Sequence, residues 1–243
     1  MRYIGSKNKL SKDLAPIIQS YITEDTKGYL EPFVGGANMI DKIKCEKKIG
    51  CDIHKQLIEL LNYARSNKHK LPDRILEDEY NKVKNNKDQY DDWYVGLVGF
   101  CASFGAKYYG GYARDSKSDN SGKWSAGAIR NLKKQCEYIK DVKFIHMAFQ
   151  DIPKDKIKGY VIYCDPPYKG TTKYKTEEFP YKEFYQWVKD MSVHNRVLIS
   201  EYDMPDEFDC IWQKEHKTLL DSNKSSNDSS NIRVEKLYTY NIK

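Results

Sequence analysis

The pattern of apolar and polar positions divides this chain into three parts. Up to about residue 65, and again from about residue 141 to residue 243, short apolar runs alternate with stretches of helical periodicity. Residues 66–140 do not show this alternation. Strands that alternate with helical patterns indicate a parallel sheet with helices packed against its faces. The pattern therefore predicts an α/β fold that is interrupted by an insert.

The two outer parts supply the predicted sheet. The first should form a helix capped by Ser11, a strand over 28–34, a helix from about Asn38, a strand over 48–51 and a helix carrying Leu57, Ile58, Leu60, Leu61 and Ala64. The last should form strands over 143–148, 159–164 and 196–200, a helix over 180–193, and an antiparallel pair over 209–219 and 232–241 joined by a Ser/Asn-rich linker over 221–231.

The middle part is predicted to be mainly helical. We expect a charged helix over 71–86, an apolar helix over 90–104, an aperiodic loop or irregular hairpin over 105–124 and a helix over 128–139. Trp93 and Phe100 are expected in the core of this small bundle. Gly35 and Asp165 lie 130 positions apart, whereas three strand–helix units need only about 75–100 residues. The surplus is assigned to an inserted domain over 66–140, and residues 1–65 and 141–243 form the main domain.

Composition narrows the class of protein. The six cysteines form no C-x-x-C pair, so a zinc site or disulfide framework is not expected, and a reducing interior suits them. The start of the chain has no apolar signal region, and no run reaches membrane-spanning length. We therefore expect a soluble, cytoplasmic protein with no membrane partner.

Positive charge is concentrated in the insert. The whole chain carries +6, and between positions 107 and 134 the basic residues outnumber the acidic ones by five. Most basic stretches are simply solvent-exposed surface. A local excess of positive charge of this size also favours the binding of a polyanion. The basic residues are Lys107, Arg114, Lys117, Lys123, Arg130, Lys133 and Lys134.

Two stretches carry candidate chemistry. The apolar run Val161–Cys164 ends in Asp165-Pro166-Pro167-Tyr168. Because both prolines fix φ and lack an N–H, this turn offers a carboxylate, backbone carbonyls and one ring, and it suits a planar amine. Gly35 and Gly36 end one predicted strand, and Asp52 ends the next. That pairing is typical of nucleotide-binding units, although a plain strand–helix turn and a helix N-cap would also explain it.

In this order the motifs resemble those of the Dam-type (D12 class, α-group) DNA adenine-N6 methyltransferases. The resemblance rests on Glu31-Pro-Phe-Val-Gly-Gly36 and Asp165-Pro-Pro-Tyr168, with support from Tyr3-Ile-Gly-Ser-Lys7, Cys51-Asp-Ile53 and Val197-Leu-Ile-Ser200. It covers about residues 1–65 and 143–243. The family often has glycine where Ala37 stands and tryptophan where Tyr3 stands. The family implies a Rossmann-like, S-adenosylmethionine-dependent methyltransferase sheet with helices on both faces and an inserted target-recognition domain.

The resemblance also implies roles for individual residues. S-adenosylmethionine is the methyl donor, S-adenosylhomocysteine is the product, and no metal is needed. Cofactor contacts are expected from Tyr3, Lys7 (to the cofactor carboxylate), Gly35, Asp52 (to the ribose), Phe33 and Asp151 (beside the adenine ring) and Asp165. Asp165 and the Pro166 carbonyl are expected to hold the N6 amine of a flipped-out adenine while Tyr168 stacks on the base.

DNA contacts are expected from the insert. They are assigned to Lys107, Tyr108, Tyr109, Arg114, Lys117, Lys123 and Arg130, with Tyr108, Tyr109 or Tyr112 filling the gap left by the flipped base. The expected partner is double-stranded DNA, a cognate restriction endonuclease is a further candidate, and we expect a monomer of bacterial or phage origin.

Other activities stay open at this point. The same chemistry could act on cytosine N4, an RNA adenine or a protein glutamine. Glutamine enzymes carry Asn in place of Asp165 and lack the insert, so both features count against that variant. A non-catalytic DNA-binding protein that retains the fold is the alternative from another class.

Overall fold

A seven-stranded mixed sheet lies at the centre of the protein. The computed structural model describes residues 1, 3–114, 116, 121–168, 179–217 and 232–242. The strands are β1 (Gly28–Glu31), β2 (Lys48–Asp52), β3 (Val142–His146), β4 (Tyr160–Cys164), β5 (Arg196–Glu201), β6 (Asp209–Lys217) and β7 (Ile232–Thr239). Their order is β3-β2-β1-β4-β5-β7-β6. The first five are parallel, and β7 runs antiparallel to both of its neighbours.

Helices cover both faces of this sheet. They are α1 (Ser11–Ser20), α2 (Lys55–Asn67), α3 (Glu77–Asn85), α4 (Asp92–Cys101), α5 (Lys123–Ile139) and α6 (Tyr181–Ser192). Side chains of β1 alternate between two cores, so that Tyr29 packs with α1, α2, α4 and α5, whereas Leu30 packs with α6. This arrangement confirms the predicted Rossmann-like α/β fold. Among the described residues, no helix is long and apolar enough to span a membrane.

The strand order reverses between β1 and β4. Leu30 of β1 pairs with Ile49 of β2 on one side and with Ile162 of β4 on the other. Ligands of open α/β sheets bind outside the carboxyl ends of the strands at such a switch point. The segments that leave β1 and β4 there are those that begin with Pro32 and Asp165, which are the two motifs picked out from the sequence.

Several predicted boundaries were wrong, each for a local reason. The charged helix starts at Glu77 rather than Leu71 because Pro72 disfavours a helical conformation at the residue before it. The apolar helix ends at Cys101, since Phe104 donates its N–H to the Gly111 carbonyl and the chain turns into an irregular hairpin.

Two further helical predictions fail. The helix predicted from Ala128 begins at Lys123, directly after Gly122 in the left-handed conformation. Residues 32–42 form turns instead of the helix predicted from Asn38. Ser11 is the first residue of α1 rather than its N-cap, and its hydroxyl donates to the Asn8 carbonyl. The predicted linker over 221–231 lies outside the described residues.

The insert shares its core with the sheet domain. Buried residues of α4 and α5 belong to the same cluster as those of α2 and β1. Gln135 on α5 donates to the carbonyls of Gly36 and Ala37 at 3.1 and 2.8 Å, which ties the insert to the glycine turn. The described residues of 66–140 thus pack as an added layer on one face of the sheet, and the predicted domain boundaries stay a prediction.

Gly96 permits the closest approach between α4 and α2. A Cβ atom at this position would lie 2.1 Å from the backbone carbonyl oxygen of Gln56. We predict that Gly96→Ala lowers the free energy of unfolding by about 1–3 kcal/mol through overpacking, measured by urea denaturation. Gly127→Ala on α5 is the control, because a Cβ there would meet only the Arg130 guanidinium at 3.9 Å and should raise stability by about 0.5–1 kcal/mol. Equal effects of both substitutions would contradict the close packing.

Candidate active site

Asp165 lies at the switch point, where β4 delivers it from the buried run Val161–Cys164. Its side chain is 19% exposed, and Oδ1 lies 2.8 Å from the Lys7 Nζ. Lys7 begins a 3₁₀ turn that is capped by the Ser6 hydroxyl. Two residues that are 158 positions apart in the sequence therefore form one ion pair at the end of the sheet.

Glu235 on β7 joins this pair. Its side chain is 2% exposed, its Oε1 lies 3.6 Å from the Lys7 Nζ, and it accepts a hydrogen bond from the Tyr168 hydroxyl. The Lys7 Nζ also lies 4.2 Å from the centroid of the Tyr168 ring. Glu235 was not among the site residues predicted from the sequence. One feature of the sequence could have indicated it. Glu235 alternates with Leu237 and Thr239 along a predicted strand, so its side chain lies on the same, buried face of the sheet as theirs.

Burial controls the ionisation of these groups. It raises the pKa of Asp165 above the usual range, and the nearby Lys7 ammonium opposes the rise. Burial likewise raises the pKa of Glu235, and repulsion from Asp165 adds to this, against the opposing pull of Lys7. Burial alone would lower the pKa of Lys7, but the two carboxylates outweigh it and the pKa is raised. Lys7 therefore stays charged between two acids.

The proline turn is also held in place. Pro166 is buried, and the Pro167 carbonyl accepts a hydrogen bond of 2.8 Å from the Tyr181 hydroxyl. The Tyr168 ring packs edge-on against Tyr202, with centroids 4.6 Å apart. Asp165, Pro166 and Tyr168 are thus brought together on a turn whose backbone and ring have fixed contacts.

The glycine turn lies beside this group and is tied to Asp52. Gly35 has φ +48°, and its N–H donates to the Asp52 Oδ2 at 3.0 Å. The other carboxylate oxygen accepts the His54 N–H at 2.9 Å. A Cβ atom on Gly35 would lie 2.9 Å from the Tyr3 ring, so conformation and space both require glycine.

Ala37 occupies a position where the resembling family often has glycine. It takes φ +55°, in the left-handed region that disfavours a side chain, and it is fully buried. Its carbonyl accepts from Gln135 at 2.8 Å. The surrounding contacts therefore hold the turn in the conformation that glycine would adopt freely.

The Asp52 carboxylate fits the hydroxyls of a nucleoside. A carboxylate offers about four acceptor positions, and the backbone amides of Gly35, His54 and Ile53 leave capacity for a donor from a ligand. Burial raises the pKa of Asp52, while the His54 and Gly35 amides oppose the rise. Ile53, which the sequence analysis did not select, follows directly and is 71% exposed. An apolar side chain left open beside this carboxylate fits the face of a nucleoside base.

Phe33 and Asp151 approach the same edge from different sides. Phe33 is half-buried and lies 5.6 Å from Phe149 and 5.8 Å from Phe179, between ring centroids. Asp151 is exposed and ends the 3₁₀ turn Phe149–Asp151 that follows β3. Together with Asp52, they line the carboxyl edge of the sheet from β1 to β3.

Three of the insert residues predicted to contact DNA are half-buried and make contacts within the protein. The Tyr108 ring lies 4.4 Å from His54 and 4.9 Å from Phe100. The Tyr109 hydroxyl donates to the Val95 carbonyl at 3.1 Å. Arg114 pairs with Glu77. Because these contacts hold the side chains in the bundle, they account for the two tyrosines without a ligand.

The other predicted DNA contacts are exposed where they are described. Lys107 lies on the hairpin, and Lys123 and Arg130 lie on α5. Lys117 is outside the described residues. Phe104 and Trp124 are among the large apolar side chains that the insert exposes, at 70% and 37%, together with Leu76 and Tyr138. Phe104 and Trp124 line an apolar recess of about 240 Å³ with Phe100 and Ala128, and the aperiodic sequence gave no reason to prefer them over the neighbouring tyrosines.

Comparison with known families decides the class of protein. The model of the D12 class N6 adenine-specific DNA methyltransferases matches residues 3–95 and 95–226, most of the chain. The chain belongs to this family. Membership confirms the predicted family, and the residues on which the resemblance rested lie within the matched ranges. The roles of the individual D12 site residues remain predictions.

Two curated relatives are type II methyltransferases. The chain is 24% identical over 198 residues to M.FokI of Planomicrobium okeanokoites, a match that covers 71% of this chain and 29% of that protein. It is 25% identical over 201 residues to M.MjaIII of Methanocaldococcus jannaschii, over 71% and 70% of the two chains. This D12 chain thus corresponds to under a third of the first relative and to over two thirds of the second.

A solved structure is also similar. It is that of SMU.472 in complex with SAH, described as a methyltransferase. The match covers 98% of this chain and 53% of the other, with a TM-score of 0.37 and 15% identity.

Proposed function

We propose that this protein transfers the methyl group of S-adenosylmethionine to N6 of an adenine at a specific site in double-stranded DNA. Family membership supports the reaction class. The observation that carries the proposal is the placement of Asp165 at the switch point, beside the glycine turn that is tied to Asp52. An amine acceptor and a nucleoside site share one edge of the sheet.

The proline turn holds the reacting amine. Adenine N6 is a poor nucleophile because its lone pair is delocalised into the ring. The Asp165 carboxylate and the Pro166 carbonyl accept hydrogen bonds from the two N–H groups of this amine. These hydrogen bonds favour tetrahedral geometry at N6 and direct its lone pair at the methyl group. Tyr168 stacks on the base. Orientation for in-line attack and preorganised acceptors then supply most of the rate gain.

The first two strands bind the methyl donor. When bound, S-adenosylmethionine supplies an electrophilic methyl group on a sulfonium, so no metal is needed. Asp52 accepts from the ribose hydroxyls, Gly35 leaves room for the methionine portion beside Tyr3, and Phe33, Ile53 and Asp151 flank the adenine ring. Lys7 was predicted to hold the cofactor carboxylate. Its contacts with Asp165 and Glu235 support a further role for Lys7, the orientation of the catalytic carboxylate.

The insert over 66–140 binds the DNA. The target base must leave the duplex to reach Asp165, because N6 is otherwise held in the stack. Lys107, Lys123 and Arg130 contact phosphates. The exposed Phe104 and Trp124 replace Tyr108, Tyr109 and Tyr112 as the aromatic side chains that contact bases. A monomer is sufficient for this arrangement, and a restriction endonuclease of the same specificity is the partner to look for.

We expect Lys123→Ala/Arg130→Ala to weaken binding to any duplex about tenfold at ~0.1 M salt. The slope of log K against log salt should fall by up to about 2, as two phosphate contacts are lost. Fluorescence anisotropy at several salt concentrations measures both quantities. Lys156→Ala/Lys158→Ala is the matched control, because both lysines are exposed before β4, at the opposite edge of the sheet. Equal slopes for the two double variants would contradict the assignment of α5 to DNA.

The activity itself is tested by transfer of labelled methyl groups from S-adenosylmethionine. Unmethylated duplex DNA, single-stranded RNA and a protein extract serve as parallel substrates. Label in DNA that co-elutes with N6-methyladenine after hydrolysis supports the proposal. Label in N4-methylcytosine, RNA or protein alone, or DNA binding without transfer, identifies one of the alternative functions and rejects this one.

A further inference from the structure

Glu235 is a buried carboxylate to which the proposed reaction gives no role. It projects from β7, a strand that reaches the site from the far end of the chain, and its side chain is 2% exposed. A buried charge is costly unless it is paired and hydrogen-bonded. Its partners are Lys7 at 3.6 Å and the Tyr168 hydroxyl, both within the candidate active site.

The charges around Glu235 do not cancel. Lys7 contributes one positive charge, while Asp165 and Glu235 contribute one negative charge each. Among the described residues, the other titratable groups near this set are the phenols of Tyr163, Tyr168 and Tyr202, the Cys164 thiol and the Glu31 carboxyl, and burial raises the pKa of Glu31 well above its usual range. Lys214, the cross-strand neighbour of Glu235, is exposed and pairs with Asp13 instead. With the phenols, the Cys164 thiol and the Glu31 carboxyl neutral, the group as a whole is negative by one charge.

The reaction moves positive charge into this setting. The N6 lone pair forms the new N–C bond while the C–S bond breaks, and the electron pair of that bond stays on sulfur. The positive charge of the sulfonium thereby passes to N6, which then releases a proton to the Asp165 carboxylate. Lys7 and Asp165 alone would be a neutral pair that offers little to a developing cation.

We propose that Glu235 is a positioning residue that keeps Lys7 divided between two carboxylates and fixes the Tyr168 ring through its hydroxyl. Because Lys7 interacts with both carboxylates, Asp165 keeps acceptor capacity for the amine. The surroundings of N6 also stay negative when positive charge develops on N6. The inference rests on the proposed function, since it concerns the same site.

Glu235→Gln tests the charge, because the amide keeps the volume and an acceptor for Tyr168. We expect the single-turnover rate constant to fall roughly 10- to 100-fold, below the loss of about 10²–10³ typical of a group in direct contact with the reacting atoms. Dissociation constants for S-adenosylmethionine and DNA should stay within about twofold. The acid limb of the pH–rate profile should move to lower pH, because loss of the neighbouring negative charge favours ionised Asp165.

Two further variants separate the contributions. Tyr168→Phe removes the hydroxyl contact and keeps the stacking ring, so a several-fold loss of rate is expected. Because the Tyr168 hydroxyl also lowers the pKa of Asp165, the acid limb should move to higher pH, opposite to the shift expected for Glu235→Gln. Glu215→Gln on the adjacent strand β6 makes the same chemical change at an exposed position and should retain the wild-type rate and profile.

The outcomes are distinct. A Glu235→Gln protein with the wild-type rate and pH profile would overturn the inference and leave the proposed function standing. A wild-type protein that transfers no methyl group to DNA would overturn the proposed function itself. If Glu235→Gln does not fold, a Tyr168→Phe protein with the full wild-type rate would still overturn the positioning role.

Discussion

Asp165→Asn should lower the single-turnover rate of methyl transfer about 10²- to 10⁴-fold, with little change in the affinity for DNA or S-adenosylmethionine. The substitution keeps the shape of the side chain but replaces one acceptor oxygen with a donor, which repels an amine that must itself donate. The magnitude is that of a positioned catalytic group that acts mainly in the transition state. Lys7 would keep Glu235 as a partner, so the fold should survive.

The control for this variant is Asp155→Asn, an exposed acid in the loop before β4, which should be fully active. Wild-type activity should fall at low pH as Asp165 takes up a proton. Because burial raises its pKa, this loss should begin at a higher pH than for an ordinary aspartate of pKa about 3.9. An Asp165→Asn enzyme with more than a tenth of the wild-type rate would show that the carboxylate is not the amine acceptor.

Asp52→Ala should weaken the binding of S-adenosylmethionine about 10- to 100-fold. Each charge-assisted hydrogen bond to a ribose hydroxyl contributes roughly 1.5–3 kcal/mol, and the substitution also frees the Gly35 and His54 amides that Asp52 now holds. Isothermal titration calorimetry measures the effect directly. Asp52→Asn keeps one acceptor oxygen and should lie between the wild type and Asp52→Ala.

DNA binding by Asp52→Ala distinguishes a specific loss of S-adenosylmethionine binding from misfolding of the variant. Since the insert carries the proposed DNA contacts, Asp52→Ala should bind duplex DNA about as well as the wild type does in the absence of cofactor. Unchanged affinity for S-adenosylmethionine in Asp52→Ala would place the nucleoside elsewhere, and the assignment of β1 and β2 to cofactor binding would then be wrong.

The strands and their motifs could be predicted because their signals are local. A continuous apolar run such as Val161–Cys164 fits only a buried strand, and Gly35 and Asp52 follow their strands directly. The antiparallel pair at the end of the chain was also predicted, and β6 and β7 form it.

The rest depends on contacts between distant positions, which periodicity does not contain. Glu235 reads as a polar residue of an edge strand until β7 is placed beside β5, with its acid facing Lys7 and Tyr168. Tyr109 and Arg114 are residue types that often contact nucleic acids. In the structure, Tyr109 donates a hydrogen bond to the Val95 carbonyl and Arg114 forms an ion pair with Glu77. The early start of α5 follows from the left-handed Gly122, whose conformation is invisible in the sequence.

Base-resolution sequencing of methylation in duplex DNA treated with the purified protein and S-adenosylmethionine tests the central claim most directly. The Asp165→Asn protein, treated in parallel, supplies the background. We predict N6-methyladenine confined to one short recurring sequence in the wild-type sample and absent from the Asp165→Asn sample. DNA that stays free of N6-methyladenine, or that carries N4-methylcytosine instead, would contradict the account.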